Sequence, residues 1–503
     1  MKRDFKRLSS QQFDLAVIGG GINGAAVAHL AALNGLKVAL VEKNDFASGT
    51  SSKSSKLMHG GIRYLENMEF SLVREALKER TFHLQTLPHL VKPMPFIIPV
   101  YKEDARPLWM MKVGTLLYDI VAGKAKIEKH QSLSAEKVIA MEPRLRREGL
   151  KGGVLYYDAQ MDDARVCLEN ILSAADLGAE AVNYARVTGF VRKGRRVTGL
   201  KVENTLAREE NIEIKAKKIV CATGPWTDEI LSLDADGAAP RLRPTKGVHF
   251  VTSKRLSTNA LLIPSKRDRR IFFVLPWKNG SMIGTTDTDY SGRPDDVVVQ
   301  EDDIQYLLEE TSRVFPSAHL TKKDVKVSFA GLRPLMRNEG HASKVSREHD
   351  IFETDSGIHV IAGGKYTTYR VIAEECMRKV FPTKKLDRIE KFYGTGEPPA
   401  DFKKESASYG IEASTLECLW NLYGTRYRDV LAVADNQEVL RQKICPGLPY
   451  IKAQLEYSKD VEMALTAEDI LYRRLSLGYS PVELKKGGPE LKKQIRSFAS
   501  SLH

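Results

Sequence analysis

The sequence predicts an α/β protein: a Rossmann-like dinucleotide-binding domain interleaved with an antiparallel-sheet domain and followed by a helical C-terminal region. Three observations carry that prediction. A strand–glycine–helix–strand unit opens at Phe13, and strand and helix signals resume after Gly153 and again near Ile358. Between them lie β-rich segments punctuated by proline, and past residue 400 the pattern is helical throughout.

The opening unit is FDLAVIGGGINGAAVAHLAALNGLKVALVE, residues 13–42. Leu15 to Ile18 is a short apolar run, and Gly19, Gly21 and Gly24 follow on the G-x-G-x-x-G spacing. Gly19 permits a sharp turn, Gly21 leaves no Cβ between the backbone and a pyrophosphate, and Gly24 lets the helix lie close on the strand. The Ala-rich helix that follows points free N–H groups at a phosphate. Lys37 to Val41 reads as a second buried parallel strand. Glu42, which closes it, can accept hydrogen bonds from ribose hydroxyls. The motif does not separate FAD from NAD.

At 503 residues the chain needs two or three cores. Its 42% hydrophobic and 28% charged residues are those of a soluble globular protein. No apolar run reaches the roughly 18 residues of a spanning helix, and the basic N-terminus MKRDFKRLSSQQF lacks an apolar signal core, which points to a cytoplasmic protein. Cys167, Cys221, Cys376, Cys418 and Cys445 are scattered, with no iron–sulfur or other metal spacing. The net charge of +13 favours anionic partners. Without a zinc finger, RNP motif or basic–aromatic alternation, nucleic acid is disfavoured against a membrane surface or an anionic metabolite.

Residues 1–12 read as a frayed tail or, alternatively, a basic arm drawn to membrane. NDFASGTSSKSSKLMHGGIRYLE, residues 44–66, is a Ser/Gly loop suited to close backbone contact with a ligand; with Lys43 ahead of it, Thr50, Ser51 and Ser52 are candidate cofactor contacts. A helix from about Phe70 to Leu87 ends at Pro88. PMPFIIPVY is a strand. RPLWMMKVGTLLYDIVAGKAK, Arg106 to Lys126, has an apolar core with basic flanks. It fits an interfacial helix burying Trp109, Met110, Leu116 and Leu117 at a lipid boundary, or equally a buried helix of the antiparallel domain. A strand after Gly153 leads to a helix capped by Asp162 or Asp163. A hairpin (Val187–Arg192, Arg196–Glu203) leads to the buried strand Lys218–Ala222, ending in Ala222-Thr223-Gly224, where a second contact to the same cofactor is expected. KGVHFVTS, NALLIPS, RRIFFVLPW and GSMIGTTDTDY read as antiparallel strands. SFAGLRPLM and Ile358–Ala362 return to the cofactor domain, the latter running through Gly363 and Gly364 into a helix from about Thr367, with Gly364, Lys365 and Thr367 near the cofactor. The expected bounds are 13–90, 150–235 and 326–382 for the dinucleotide domain, 91–149 and 236–325 for the second, a linker over 394–406, and a helical unit over 400–503.

GGGINGAA, TSSKSSKLMHGGIRYLE, YYDAQMDDAR, CATGPW, GTTDTDY, AGLRPL and GGKYTTYR, in this order, resemble the FAD-dependent glycerol-3-phosphate dehydrogenases across residues 10–395. That family belongs to the D-amino-acid-oxidase-like flavoproteins, with interleaved FAD and substrate domains, and the C-terminal region resembles its cap domain. The resemblance implies non-covalent FAD and oxidation of sn-glycerol 3-phosphate to dihydroxyacetone phosphate. It also implies electron transfer to membrane quinone by a protein peripheral on the cytoplasmic face of the inner membrane. The scattered cysteines fit the aerobic form. Oligomeric state is left open, a homodimer being one compatible form.

Oxidising a secondary alcohol requires a hydride acceptor and a base within reach of the hydroxyl. His59, in LMHGGIRYL, and His249, in KGVHFV, are the candidates. A phosphate dianion calls for charge-assisted donors: Arg333 and Arg63 match arginines that the family aims at substrate, and Tyr64 adds a hydroxyl. Lys365 is placed by the resemblance to hold a substrate oxygen or the reduced flavin. Asp287 and Asp289 would repel phosphate and are expected to orient a base or a turn. Competing readings are an oxidase of the same superfamily using O₂, on glycerol 3-phosphate or an amine, and a flavin-binding protein without turnover.

Overall fold

The computed structural model describes residues 1–207, 211–234, 240–337, 349–435 and 437–500. Gln12–Ile18 sits at the centre of an eight-stranded sheet. From Leu15 on it is buried on both faces, as a parallel strand covered by helices must be. It pairs in parallel with Val38–Val41 on one side and Asn211–Cys221 on the other. Ile358–Gly363 extends the parallel run beyond Asn211–Cys221, and Glu180–Val182 extends it beyond Val38–Val41. Helices Ile22–Leu33, Asp163–Asp176 and Tyr369–Val380 form one covering layer. The hairpin Ala185–Lys193 and Arg196–Asn204 covers the other face.

The N-terminus is not a frayed tail. Residues Phe5–Ser10 form a helix capped by Asp4, and its Phe5 and Leu8, three apart and so on one face, are buried under the hairpin side of the sheet. The Met1 amine donates to the Val461 carbonyl at 2.9 Å. The basic residues of MKRDFKRL hid this two-residue apolar face.

The second sheet has ten strands and is antiparallel except where Ala260–Pro264 meets Val91–Tyr101. Three strands expected in the dinucleotide segments lie here instead. Leu150–Met161 pairs along nearly its whole length with Val91–Tyr101, Val327–Met336 pairs with Leu242–Thr252, and Leu57–Met58 adds to Leu150–Met161. Local pattern identifies a strand but not its partner, so the expected bounds shift. Met161 then leads within two residues into helix Asp163–Asp176, whose N-cap is Asp162, its side chain accepting from Arg165 N.

Residues 402–500 are helix-rich around their own core. Buried ion pairs lock this unit to the rest: Arg474 with Asp45 at 2.8 Å, Arg426 with Glu169 at 2.7 Å, and Arg165 with Glu462 at 2.8 Å. Removing one partner of such a pair costs about 3–5 kcal/mol, because the other charge is left buried alone. The expected linker is anchored within this network, Gly394 N donating to Glu169 at 3.1 Å, and its last residues already belong to helix Phe402–Ser408.

Helix Leu108–Ala122 packs against the second sheet along one side only. It buries Thr115, Tyr118 and Ala122 and exposes Trp109, Met110, Val113, Leu116 and Ile120, so it belongs to the antiparallel domain while leaving an apolar face outward. Leu117 is half-buried against the second sheet rather than outward. Among the described residues no helix is long and apolar enough to cross a membrane.

Burial holds four histidines neutral: His29, His83, His89 and His249 are pushed from 6.5 down to about 4, 3, 4 and 3. The unfolded chain binds protons below about pH 6.5 that the native chain refuses, so stability declines as pH falls from there towards 4, by about 1.4 kcal/mol per unit for each histidine. We expect the melting temperature to be level from pH 7 to 8 and to drop steadily below 6.5. A level melting curve down to pH 5 would contradict it.

Candidate active site and dinucleotide cradle

The first cavity, about 490 Å³, lies at the C-terminal ends of the parallel strands, where an open α/β sheet places its ligands. The three motif glycines are required for different reasons. Gly19 has φ +106°, and a Cβ there would lie 2.6 Å from the Ala222 carbonyl oxygen. At Gly24 it would lie 1.9 Å from the Gly19 carbonyl oxygen, so the helix cannot sit this close with any side chain. At Gly21 it would point 3.2 Å from Ser51 Oγ, on the cavity wall.

Ile22 N donates to Ser51 Oγ at 2.9 Å, fixing the loop against the first turn of the helix. Glu42 accepts from Gly20 N at 2.7 Å and Asn44 N at 2.9 Å, and burial pushes its carboxyl up. Lys43 pairs with Asp295 at 2.7 Å and stands over the Trp226 ring. Gly19, Gly21, Glu42, Lys43, Thr50, Ser51, Ala222, Thr223, Gly224, Gly364 and Lys365 all line this cavity. Gly24 lies beneath the turn, and Ser52 is buried outside the lining. Thr367 lines the neighbouring cavity, bonded through Oγ1 to the backbone of His59.

That neighbour, about 220 Å³, meets the first at Thr50, Pro334, Gly364, Lys365 and Tyr366, which border both. It gathers His59, Arg63, Tyr64, His249, Arg333 and Lys365 from four stretches of chain. Arg333 donates to Asp287 at 3.0 Å, to Thr285 Oγ1 at 2.9 Å and to the Thr286 carbonyl at 3.2 Å. Asp287 is therefore the partner of an arginine, while Asp289 pairs with Arg243 on the exposed rim at 2.8 Å. Lys365 Nζ donates to the His59 carbonyl at 2.6 Å and lies over the Tyr64 ring. His249 is buried, stacked on Phe329, with Nε2 2.8 Å from Ser55 Oγ. Desolvation first, then the Arg333 and Lys56 charges, keep its imidazole neutral down to about 3.

Sequence reasoning missed Lys53 and Arg270. Both line this cavity; Arg270 donates to the Asp287 carbonyl, and burial lowers the Lys53 ammonium to about 8. Lys53 lies in TSSKSSK, where two lysines look alike; Lys56 is instead a buried partner of Asp163 at 2.5 Å. Arg270 follows four other charges, with no periodicity to single it out. Asp158 was missed too: it accepts from Arg80 at 2.9 Å and from Gly60 N at 3.1 Å. Lys53, Arg63, Arg270, Arg333 and Lys365 thus surround the cavity, while its carboxylates Asp158 and Asp287 are each paired with an arginine. The arrangement suits a small dianion beside a neutral histidine.

A family model described as FAD dependent oxidoreductase matches residues 14–370. The chain belongs to that family. A second model, the C-terminal domain of alpha-glycerophosphate oxidase, matches residues 387–488. The chain is 39% identical over 502 residues to a glycerol-3-phosphate dehydrogenase of Synechocystis, covering 94% of this chain and 90% of that protein. It is 36% identical to an aerobic glycerol-3-phosphate dehydrogenase of Staphylococcus aureus, covering 93% and 87%. It superposes with a TM-score of 0.80 and 31% identity on a crystal structure of the glycerol-3-phosphate dehydrogenase from Bacillus halodurans complexed with FAD, covering 98% and 92%.

The cradle fits FAD. Glycine stands where a pyrophosphate needs bare backbone, a helix N-terminus faces the cavity, and Glu42 borders the first cavity but not the second. We expect Gly24→Ala to purify without flavin, because the helix would have to lift off the Gly19 carbonyl. Flavin absorbance per protein close to wild type would refute this account of the turn.

Proposed function

We propose that this FAD-dependent oxidoreductase converts sn-glycerol 3-phosphate to dihydroxyacetone phosphate. The observation carrying this reading is the cation-lined cavity that adjoins the dinucleotide cradle and holds a neutral histidine. The names of the relatives point the same way. Arg333, fixed by Asp287 and Thr285, offers its guanidinium to the phosphate, with Arg63, Arg270 and Lys53 completing the charge balance. Bound FAD supplies the hydride acceptor. The remaining tasks belong to the protein. Of the two histidines, we take His249 as the base: its ring borders the substrate cavity, is fixed by stacking on Phe329, and carries Nε2 2.8 Å from Ser55 Oγ. His59 serves through its backbone carbonyl, which holds Lys365 at the junction of the two cavities, where the ammonium stabilises negative charge on the substrate oxygen.

The proposed acceptor is a membrane quinone, with the protein peripheral on an anionic bilayer. Support comes from helix Leu108–Ala122, whose Trp109 and Ile120 are 64% and 66% exposed between the basic flanks Arg106, Lys124 and Lys126. The oxidase name of the C-terminal model favours a second reading, O₂ as acceptor.

Anaerobic addition of glycerol 3-phosphate should bleach the flavin, while glycerol and D-alanine should not. Bleaching by none of the three would leave a flavin-binding protein without turnover, and peroxide release without quinone would move the acceptor to O₂. Arg333→Ala should raise KM about tenfold or more, since one charged hydrogen bond is worth about 1.5–3 kcal/mol. His249→Ala should slow flavin reduction by about a hundredfold or more with retained flavin; a wild-type rate would remove it as the base.

A further inference from the structure

Resting on the proposed function, we infer that lipid engagement of helix Leu108–Ala122 is transmitted to the substrate cavity through Tyr118, Asp158 and the Gly60 amide. The helix turns an apolar face outward and reaches inward chiefly through Tyr118, whose ring is buried and whose hydroxyl donates to Asp158, its oxygens 2.9 and 3.0 Å away. Asp158 is buried, held by Arg80, and accepts the Gly60 amide at 3.1 Å. The packing leaves no slack: a Cβ at Gly60 would lie 2.2 Å from the Tyr118 hydroxyl. Gly60 follows His59, whose carbonyl accepts Lys365 Nζ at 2.6 Å. Helix and cavity are therefore joined by one short chain of hydrogen bonds and one peptide unit.

A second tie runs in parallel. Arg106, just ahead of the helix, pairs with Glu66 at 2.6 Å, on the turn Ile62–Asn67 that carries Arg63 and Tyr64. Beneath the N-terminal half of the helix lies a cavity of about 440 Å³, bordered by Arg63 and Leu65 of that turn and by Met111, Gly114 and Leu117 of the helix. The N-terminal half of the helix thus borders open space, its outer face is uncovered among the described residues, and only its Tyr118 end is tightly packed. That is an element whose position an outside surface can bias.

The occupant that fits is an anionic lipid surface. Lys112 and Lys124 are exposed beside the apolar face, Arg106 and Lys126 flank it, and Arg74 and Lys78 of the neighbouring helix are exposed next to Ile120. Of the acidic groups here, Asp119 is tied to His130 at 2.8 Å, Glu66 to Arg106 and Glu103 to Arg146, and Asp104 accepts from Tyr101 N, leaving Glu128 outward. Lipid contact holds the helix in its seat, which keeps Tyr118 on Asp158 and the His59–Gly60 peptide aligned for Lys365. Tyr118 is a positioning residue, and its effect falls on substrate affinity.

The test uses the full-length, flavin-loaded protein with vesicles of phosphatidylglycerol and phosphatidylcholine. Flavin reduction by glycerol 3-phosphate is followed anaerobically without quinone, so acceptor supply plays no part. Wild type should sediment with the vesicles, and its half-saturating substrate concentration should fall about fivefold or more, the lower end of ordinary coupling between sites. Tyr118→Phe should sediment equally and show no fall. Trp109→Ser with Ile120→Ser, both on the exposed face, should neither sediment nor respond. The inference is overturned if wild type fails to sediment, if it sediments without a change in half-saturation, or if either variant responds as wild type does. Calorimetric titration with inorganic phosphate, with and without vesicles, reads the same coupling independently of turnover. Failure of glycerol 3-phosphate to bleach the flavin in any condition would instead strike the proposed function.

Discussion

The close approach of Gly24 to the carbonyl of Gly19 is the constraint on which the rest of the molecule depends. It lets helix Ile22–Leu33 lie directly on the central strand, which sets the depth of the cavity at the strand ends. The neighbouring strand Asn211–Cys221 then delivers Ala222 so near that Gly19 can be nothing larger. Ser51 fastens the following loop to the same helix turn, and that loop runs on through Lys53, Ser55 and His59 into the second cavity. Both cavities are therefore positioned from one backbone contact.

Electrostatics divide the basic residues by what they face. Arg165, Arg426 and Arg474 are buried against carboxylates and join the C-terminal unit to the FAD-binding sheet. Lys53, Arg63, Arg270, Arg333 and Lys365 surround a small cavity whose carboxylates are already paired. Lys56, Arg80, Lys246 and Arg370 are buried in ion pairs elsewhere, and among those nearer the surface a cluster rims the apolar face of helix Leu108–Ala122. A net charge of +13 is thus partly a functional quantity and partly a surface one.

Much of this was legible in the sequence because it is local. The glycine spacing, the buried parallel strands, the helix Phe70–Thr86 and the amphipathic helix all follow from patterns a few residues long. His59, Arg63, His249, Arg333 and Lys365 could be nominated from their loops and from family resemblance, and they do meet in one cavity. What escaped was non-local. Nothing in LKGGVLYYDAQM reveals that it pairs with Val91–Tyr101 rather than joining the first sheet. Lys53 and Lys56, three residues apart in one loop, divide between a cavity wall and a buried ion pair, which only the fold decides. The docking of Phe5 and Leu8 was concealed by their basic neighbours.

Strand Leu150–Met161 belongs to one sheet and helix Asp163–Asp176 to the layer covering the other, with a single residue between them. That residue, Asp162, caps the helix, and Asp163 behind it is buried on Lys56 and Ser54 of the loop crossing between the sheets. The two halves are in this way welded rather than hinged. Domain closure of the kind seen in clamshell enzymes has no pivot at this crossing. Across this crossing the two sheets should gain and lose amide protection together.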